Sequence, residues 1–309
     1  MTIKLKIGAR GSPLSLAQTG LVAAELEAAN PGLTTEIIAI KTTGDRILDA
    51  PLAKIGGKGL FVKEIEEALL EGRIDMAVHS AKDMPSELPD GLCLAATPRR
   101  ADFRDVLITR QPGGLESLPK GAKVGTSGLR RQAQLLALRP DLVIGPMRGN
   151  VATRLARLET ECEATLLAAA GLNRLAVSPP NAVPLDTDIM LPAAGQGSLA
   201  LEARCDDEQT LAVLAKINHY PTLMELSAER GFLGRLGSGC QLPVAALASF
   251  EGGHLTLTGL IASLDGQRLV KDSLNGTPED LAAAEALGRK LAAALLEAGG
   301  EEIMKEVLV

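Results

Sequence analysis

Short apolar runs alternate with helical periods from the first residues to about residue 170, and this alternation restricts the chain to a layered α/β architecture. Residues 4–9 read as a strand. Arg10-Gly11 then leads to Ser12 and a helix with Pro13 in its first turn. Leu14, Ala17, Leu21, Ala24 and Ala28 keep one helical stripe until Asn30-Pro31-Gly32 stops it. A strand at 35–41, a helix at 60–71 and a short buried strand at 74–78 follow, an order that predicts a parallel sheet. The same grammar restarts near Pro98-Arg99-Arg100. Strands at 106–109, 123–125, 142–144 and 164–169 are interleaved with helices at 129–138 and 151–158. Beyond residue 209 a helical stretch reaching 225–236 precedes strands at 244–249, 255–261 and 268–273. An alanine-rich helix over 278–298 closes the chain, and strands grouped before a helix predict a small α+β domain.

With 309 residues, two or three domains are expected. No apolar run reaches the roughly 18 residues needed to span a bilayer. The first six residues alternate like a strand, which predicts no secretory leader and no membrane association. Cys93, Cys162, Cys205 and Cys240 are widely spaced, without a C-x-x-C pair, and His79, His219 and His254 are scattered. No metal site is therefore expected, and the cysteine usage suits a reducing cytoplasm. One tyrosine, four phenylalanines and no tryptophan leave no base-stacking surface, and a net charge of −6 disfavours nonspecific nucleic-acid binding. Yet residues 1–174 are slightly basic while the remainder is strongly acidic. Arginines clustered in the basic half suit a small anionic partner.

Several stretches carry chemistry and each has a bland alternative. Gly56-Gly57-Lys58-Gly59 lacks the spacing of a phosphate-binding loop, so residues 42–59 are either a lid presenting Lys54 and Lys58 or a solvated loop. Gly125-Thr126-Ser127-Gly128-Leu129-Arg130-Arg131 runs from a strand into a helix. Hydroxyls, backbone N–H groups and forked guanidiniums there favour an anion. Arg148, Arg154, Arg157 and Arg174 extend this cluster, unless they are surface residues paired with Glu159, Glu161 and Glu163. Asp83, beside Lys82, is either an ionised acceptor facing a ligand or a helix N-cap. His79 reads as a packed, hydrogen-bonded histidine. Cys240 follows Gly237-Ser238-Gly239, where small neighbours let a bulky group reach the sulfur. No histidine partner is recognisable, which suits an attachment point better than a turnover nucleophile.

Taken in order, seven blocks resemble the porphobilinogen deaminase (hydroxymethylbilane synthase) family. They are residues 8–14, 51–61, 79–85, 125–132, 148–151, 192–197 and 239–243. The resemblance implies two α/β domains like type 2 periplasmic binding proteins, with residues 1–97 and 198–215 forming one and 98–197 inserted as the second. Residues 216–309 would form a small α+β C-terminal domain carrying the cofactor cysteine. It also implies a transferase that condenses four porphobilinogen molecules, with loss of ammonia, into hydroxymethylbilane for porphyrin biosynthesis. The primer is a dipyrromethane cofactor held by a thioether, and Cys240 matches its attachment residue. Asp83 matches the catalytic aspartate. Lys82, Thr126, Ser127, Arg130, Arg131 and Arg154 match cofactor-binding positions. Arg10, Ser12, Arg148, Arg154, Arg174 and Gln196 match substrate-binding positions, and Lys54, Lys58 and Phe61 a mobile lid. A cytoplasmic monomer working on porphobilinogen and the growing oligopyrrole is implied, with neither nucleic acid nor membrane as partner. Gly128 stands where the family commonly has a second serine, Ser238 where glycine is usual, Leu242 where a β-branched residue is usual, and Phe103 where proline is common. The residue chemistry is compatible with this, since each pyrrole ring brings an acetate and a propionate that call for charge-assisted bonds. A two-lobed anion-binding module is the alternative from the binding class, and Cys240 separates the two.

Overall fold

In β1 (Ile3–Arg10) Leu5 and Ile7 are buried while Lys4 and Lys6 are exposed, the period-two pattern of a strand with one face on a core. The strand hands over to α1 (Pro13–Ala29) through Ser12, whose hydroxyl accepts the Ser15 N–H at 3.3 Å, with Pro13 preset for the first turn. Asn30 ends the helix by donating its side-chain N–H to the Leu26 carbonyl at 2.9 Å. The computed structural model describes residues 3–43, 62–85, 87–237 and 242–307. The chain divides into two compact units, Met1–Arg100 with Ser198–Met224, and Ala101–Gly197 with Glu225–Val309.

The first unit is built on a five-stranded sheet. β2 (Leu33–Ile40), β1 and β3 (Met76–Ser80) are parallel, with β1 central. β10 (Leu199–Arg204) then runs antiparallel between β3 and the edge strand β4 (Leu92–Ala96). The sheet is thus mixed rather than parallel throughout, because its fourth strand arrives from the far side of the segment 101–197. α1, α2 (Lys63–Leu70) and α6 (Glu208–Ala215) accompany the sheet. One apolar cluster joins Leu5, Ile7, Val22 and Leu26 to Val78, Leu201 and Leu214. A second joins Ile65 and Leu69 to Ile74 and Leu92.

The second unit repeats the pattern. β7 (Val143–Gly145), β6 (Lys123–Gly125) and β8 (Ala164–Ala168) are parallel, β5 (Asp105–Thr109) is antiparallel to β8, and β9 (Ala182–Pro184) completes the order β7-β6-β8-β5-β9. Position for position this matches β2-β1-β3-β10-β4, so the two α/β sheets share one strand order. α3 (Leu129–Leu138), α4 (Val151–Glu161) and the short α5 (Ala169–Arg174) belong here. Also in this unit is the antiparallel meander β11 (Val244–Glu251), β12 (His254–Ala262) and β13 (Leu269–Gly276), the small α+β part of the fold. The C-terminal part of α7 (Tyr220–Arg235) and α8 (Leu281–Leu295) pack over the meander, and α9 (Glu301–Val307) follows. The two long helices approach so closely that a Cβ at Gly288 would overlap the Ala228 carbonyl, and one at Gly231 the Glu285 carbonyl. Phe232, fully buried, fills the space left above Gly259. Gln132 of α3 donates to the Leu264 carbonyl at 3.1 Å, and Leu191 packs on Ala245 and Leu260, tying the meander to the α/β part of the unit.

Candidate active site

In the first unit the C-terminal ends of β1 and β3 bring Arg10, Ser12, His79, Ser80 and Asp83 around one small open hollow. β3 carries the chain into a single 3₁₀ turn, Ala81–Asp83, pinned where the Ala81 N–H donates to the Ser198 carbonyl at 3.1 Å. Asp83 closes that turn instead of capping a following helix, so the N-cap alternative drops out. Its side chain is exposed, and among the described residues no hydrogen bond consumes its carboxylate. Ser80 is held by the amide of Gln18 at 3.1 Å. Lys82 is half-buried beside them.

His79 is a packed residue, as its setting in the sequence suggested. Its Nε2 lies 2.9 Å from Glu202 Oε2, and both side chains are buried. Glu66 of α2 is 9% exposed and adds a second carboxyl to the same cluster. Glu66 Oε1 and Glu202 Oε1 have no hydrogen-bond partner among the described residues. Burial first, and then the Glu202 charge, push the Glu66 carboxyl up to about 7, opposed by His79. A native carboxyl that keeps its proton longer than the unfolded one lowers stability as pH rises. The loss falls between about 4.5, the ordinary value, and about 7, and stability is level above. Glu66→Gln is expected to remove this slope and to stabilise the protein by up to about 3 kcal/mol at pH 8, read by urea unfolding at pH 5 and pH 8. A variant retaining the wild-type slope would show that Glu66 is ionised throughout.

In the second unit the stretch after β6 is organised by backbone contacts. Thr126 Oγ1 accepts the Gly128 N–H at 3.2 Å, and Ser127 Oγ both donates to and accepts from the Met147 backbone, at 3.1 and 3.0 Å. A Cβ at Gly125 would come within 2.5 Å of Met147 Cε and 3.1 Å of Cys162 Sγ, so a larger residue there would have to displace the Met147 side chain. α3 then starts without a side-chain cap and carries Arg130 and Arg131.

These two arginines are neither on the surface nor paired with Glu159, Glu161 or Glu163; each is 8% exposed and turned onto Asp105, at the head of β5, which is fully buried. Arg130 Nη1 donates to Asp105 Oδ2 at 2.6 Å and to the Leu191 carbonyl at 2.7 Å. Arg131 donates to Asp105 Oδ1 from Nη2 at 2.6 Å and from Nε at 3.1 Å, and from Nη1 to the Leu166 carbonyl at 2.9 Å. Gln196 joins the same carboxylate at 3.0 Å and the Phe103 carbonyl at 2.8 Å. Burial alone would raise the Asp105 carboxyl, but Arg130 and Arg131 outweigh it and hold it well below the usual carboxylate range. Two guanidiniums on one carboxylate leave a surplus positive charge in a dry setting, where it acts strongly on an anion. Asp105 was not singled out in the sequence, although a carboxylate heading the apolar run Val106-Leu107-Ile108 is the signal that would have found it.

The other arginines differ among themselves. Arg154 Nε donates to the Gly149 carbonyl at 2.9 Å and Arg148 is half-buried. Arg157 forms the paired contact considered for the cluster, at 2.7 Å to Glu161. Arg174 donates to the Gly197 carbonyl at 2.6 Å, and burial lowers its guanidinium to about 10. The loop bearing Gln196 is fixed by Glu229, whose carboxylate accepts the Gly195 and Ala248 N–H groups. Lys54, Lys58, Phe61 and Cys240 lie outside the described residues. Among the described residues no group of three or more metal-ligating side chains gathers, and no helix is long and apolar enough to cross a membrane.

Comparison with known proteins gives one answer. Residues 5–212 match the family described as porphobilinogen deaminase, dipyromethane cofactor binding domain, and residues 223–297 match its C-terminal domain. The porphobilinogen deaminase of Trichlorobacter lovleyi is 51% identical over 305 residues, covering 98% of this chain and 96% of that protein. Those of Syntrophomonas wolfei and Geobacter sulfurreducens are also 51% identical, covering 98% of this chain and 98% and 95% of theirs. Half of all residues are thus shared across nearly the full length, with both of the family's parts matched in order. The chain belongs to the porphobilinogen deaminase family, a family of transferases of porphyrin biosynthesis with a dipyrromethane cofactor.

Proposed function

We propose that this protein condenses four porphobilinogen molecules into hydroxymethylbilane on a dipyrromethane primer joined by a thioether to Cys240, as a transferase of the hydroxymethylbilane synthase class. The observation that carries the reading is Asp83, an exposed carboxylate with no hydrogen-bond partner among the described residues, in a hollow that Arg10 and Ser12 also line. Such a carboxylate is open to the N–H of an incoming pyrrole. Arg10 and Ser12 offer a forked cation and a hydroxyl to the acetate or propionate of that ring. Ammonia leaving the substrate creates positive charge on the pyrrole, and Asp83 stabilises it where it develops and accepts protons shed at the ring. When bound, the primer supplies a pyrrole with a free α-carbon, the nucleophile for the next ring.

The donor set fits a polyanionic cofactor. In the second unit the Asp105 cluster keeps a net positive charge on Arg130 and Arg131, with Thr126 and Ser127 at the head of the same helix. We assign these four, with Lys82 and Arg154, to the cofactor's carboxylates, and Arg148, Arg154, Arg174 and Gln196 to those of the substrate. Lys54, Lys58 and Phe61 enter as lid residues on the sequence pattern. The division into domains of 1–97 with 198–215, 98–197 and 216–309 belongs to the same reading. So does a monomer in the cytoplasm.

Intact mass of freshly purified protein tests the assignment. Wild type is expected to carry an adduct of two linked pyrroles and Cys240→Ser none, with no hydroxymethylbilane formed by the variant. A fully active wild type of unmodified mass overturns the reading.

A further inference from the structure

Two thiols that the proposed chemistry leaves unused lie together at one end of the first unit's sheet. Cys93 is in the edge strand β4, directly opposite Ala203 of β10, and Cys205 follows β10 by one residue. The Cys205 N–H donates to the Gly91 carbonyl at 2.9 Å, so the antiparallel pairing continues past the strand end. With Ala203 opposite Cys93, residue 205 presents its side chain on the same face of the sheet, one diagonal step away. The two side chains are near enough for Cys205 to bear on the Cys93 thiol. Cys205 is exposed and Cys93 half-buried, whereas Cys162 is buried in the second unit.

We propose that Cys93 and Cys205 form a reversible disulfide when a hydroperoxide reaches the exposed Cys205 thiol. The pair divides the chemistry. Burial first, then the Cys205 contact and the negative Glu202, push the Cys93 thiol up to about 12. Cys93 therefore keeps its proton, and the exposed Cys205 sulfur is the outward nucleophile. The Cys205 thiolate attacks one peroxide oxygen, breaking the O–O bond and releasing hydroxide, which takes up a proton to leave as water. The product is a sulfenic acid at Cys205. Cys93 sulfur then attacks the Cys205 sulfur, breaking its S–O bond. The released oxygen leaves as a second water with the Cys93 proton. Two electrons pass from the two sulfurs to the peroxide, and two thiols with one hydrogen peroxide become one disulfide and two waters.

The bond would close the long loop from 93 to 205, which contains the whole inserted segment 101–197, and so restrict the unfolded chain. It would leave the hollow untouched. Ser80 pairs with Leu199 at the start of β10, and at the ordinary rise per strand residue Cys205 lies about 20 Å further along. Oxidation is thus expected to stabilise the protein without stopping turnover.

The test uses the protein as purified, reduced, freed of reductant, and treated with an equimolar amount of hydrogen peroxide. Remaining thiols are alkylated before unreduced peptide mapping. The expected result is one joined peptide pair containing Cys93 and Cys205, two hydrogens lighter than the separate peptides and released by dithiothreitol. The thermal midpoint should rise by several degrees, with turnover within about twofold of the reduced protein. Cys93→Ser should instead trap Cys205 as a sulfenic acid, giving about tenfold more dimedone adduct than wild type. Equal dimedone adduct in both proteins with no joined peptide, or a joined peptide containing Cys162, overturns the proposal.

Discussion

Asp83→Asn is expected to lower turnover about 10²–10³-fold while leaving the fold and the pyrrole adduct in place. The asparagine amide keeps the shape of the side chain and can still accept one hydrogen bond. It cannot supply negative charge where positive charge develops on the pyrrole, nor take a proton from it. The structure separates this effect from instability. Asp83 is exposed, ends a single 3₁₀ turn and has no hydrogen-bond partner among the described residues, so the unfolding free energy should change by no more than about 0.5 kcal/mol. Steady-state kinetics, intact mass and urea unfolding on one preparation decide the matter. Turnover within a few-fold of wild type would remove Asp83 from the mechanism, whatever its place in the hollow.

Asp105→Asn should act in the opposite way, on stability first. The substitution leaves Arg130 and Arg131 buried with a neutral partner, and breaking a buried ion pair from one side typically costs about 3–5 kcal/mol. The pH dependence has a defined sign. The native carboxyl is held below its unfolded value of 3.8, so its contribution is fully present above about pH 4 and fades as pH falls. The variant should therefore be strongly destabilised at pH 7 and lose less than wild type on acidification. A change under about 1 kcal/mol at pH 7 would mean that the two arginines find other partners.

Much of the architecture was legible because its signals are local. The helix expected at 129–138 is Leu129–Leu138, bounded by Gly128 and Arg139-Pro140, and the strand expected at 123–125 is Lys123–Gly125. Ser12-Pro13 and Asn30 mark both ends of α1 within a few residues of chain. What was missed depends on distant partners. β10 reads Leu-Ala-Leu-Glu-Ala-Arg, lacking β-branched residues and carrying Glu202 at its centre. β4 reads Leu-Cys-Leu-Ala-Ala. Neither sequence asks to be a strand; each becomes one through its neighbours in the sheet. The parallel expectation holds for β2, β1 and β3, and the departure comes from strands that enter from far away in sequence, β10 against β3 and β5 against β8.

The site shows the same division. The chemistry of Asp83, Arg10 and Ser12 could be read from strand-end position and residue type. His79 proved to be packed against Glu202, 123 residues away, and nothing local in the sequence announces that carboxylate. Arg130 and Arg131 were recognised as anion-binding types, but their first anion is the protein's own Asp105, 25 and 26 residues back. Spacing along the chain gives donors their direction; it does not say which acceptor reaches them first.

The interposed strand β10 has a consequence for how the polypeptide is made. Emerging from the ribosome, the first hundred residues can assemble β2, β1 and β3, but β3 presents a bare rim and β4 has nothing to lie against. Only when residues 199–204 follow, after the whole of 101–197 has been synthesised, does that rim close. A nascent chain halted near residue 150 would expose an open sheet edge, making it a target for chaperones or for association with its own kind.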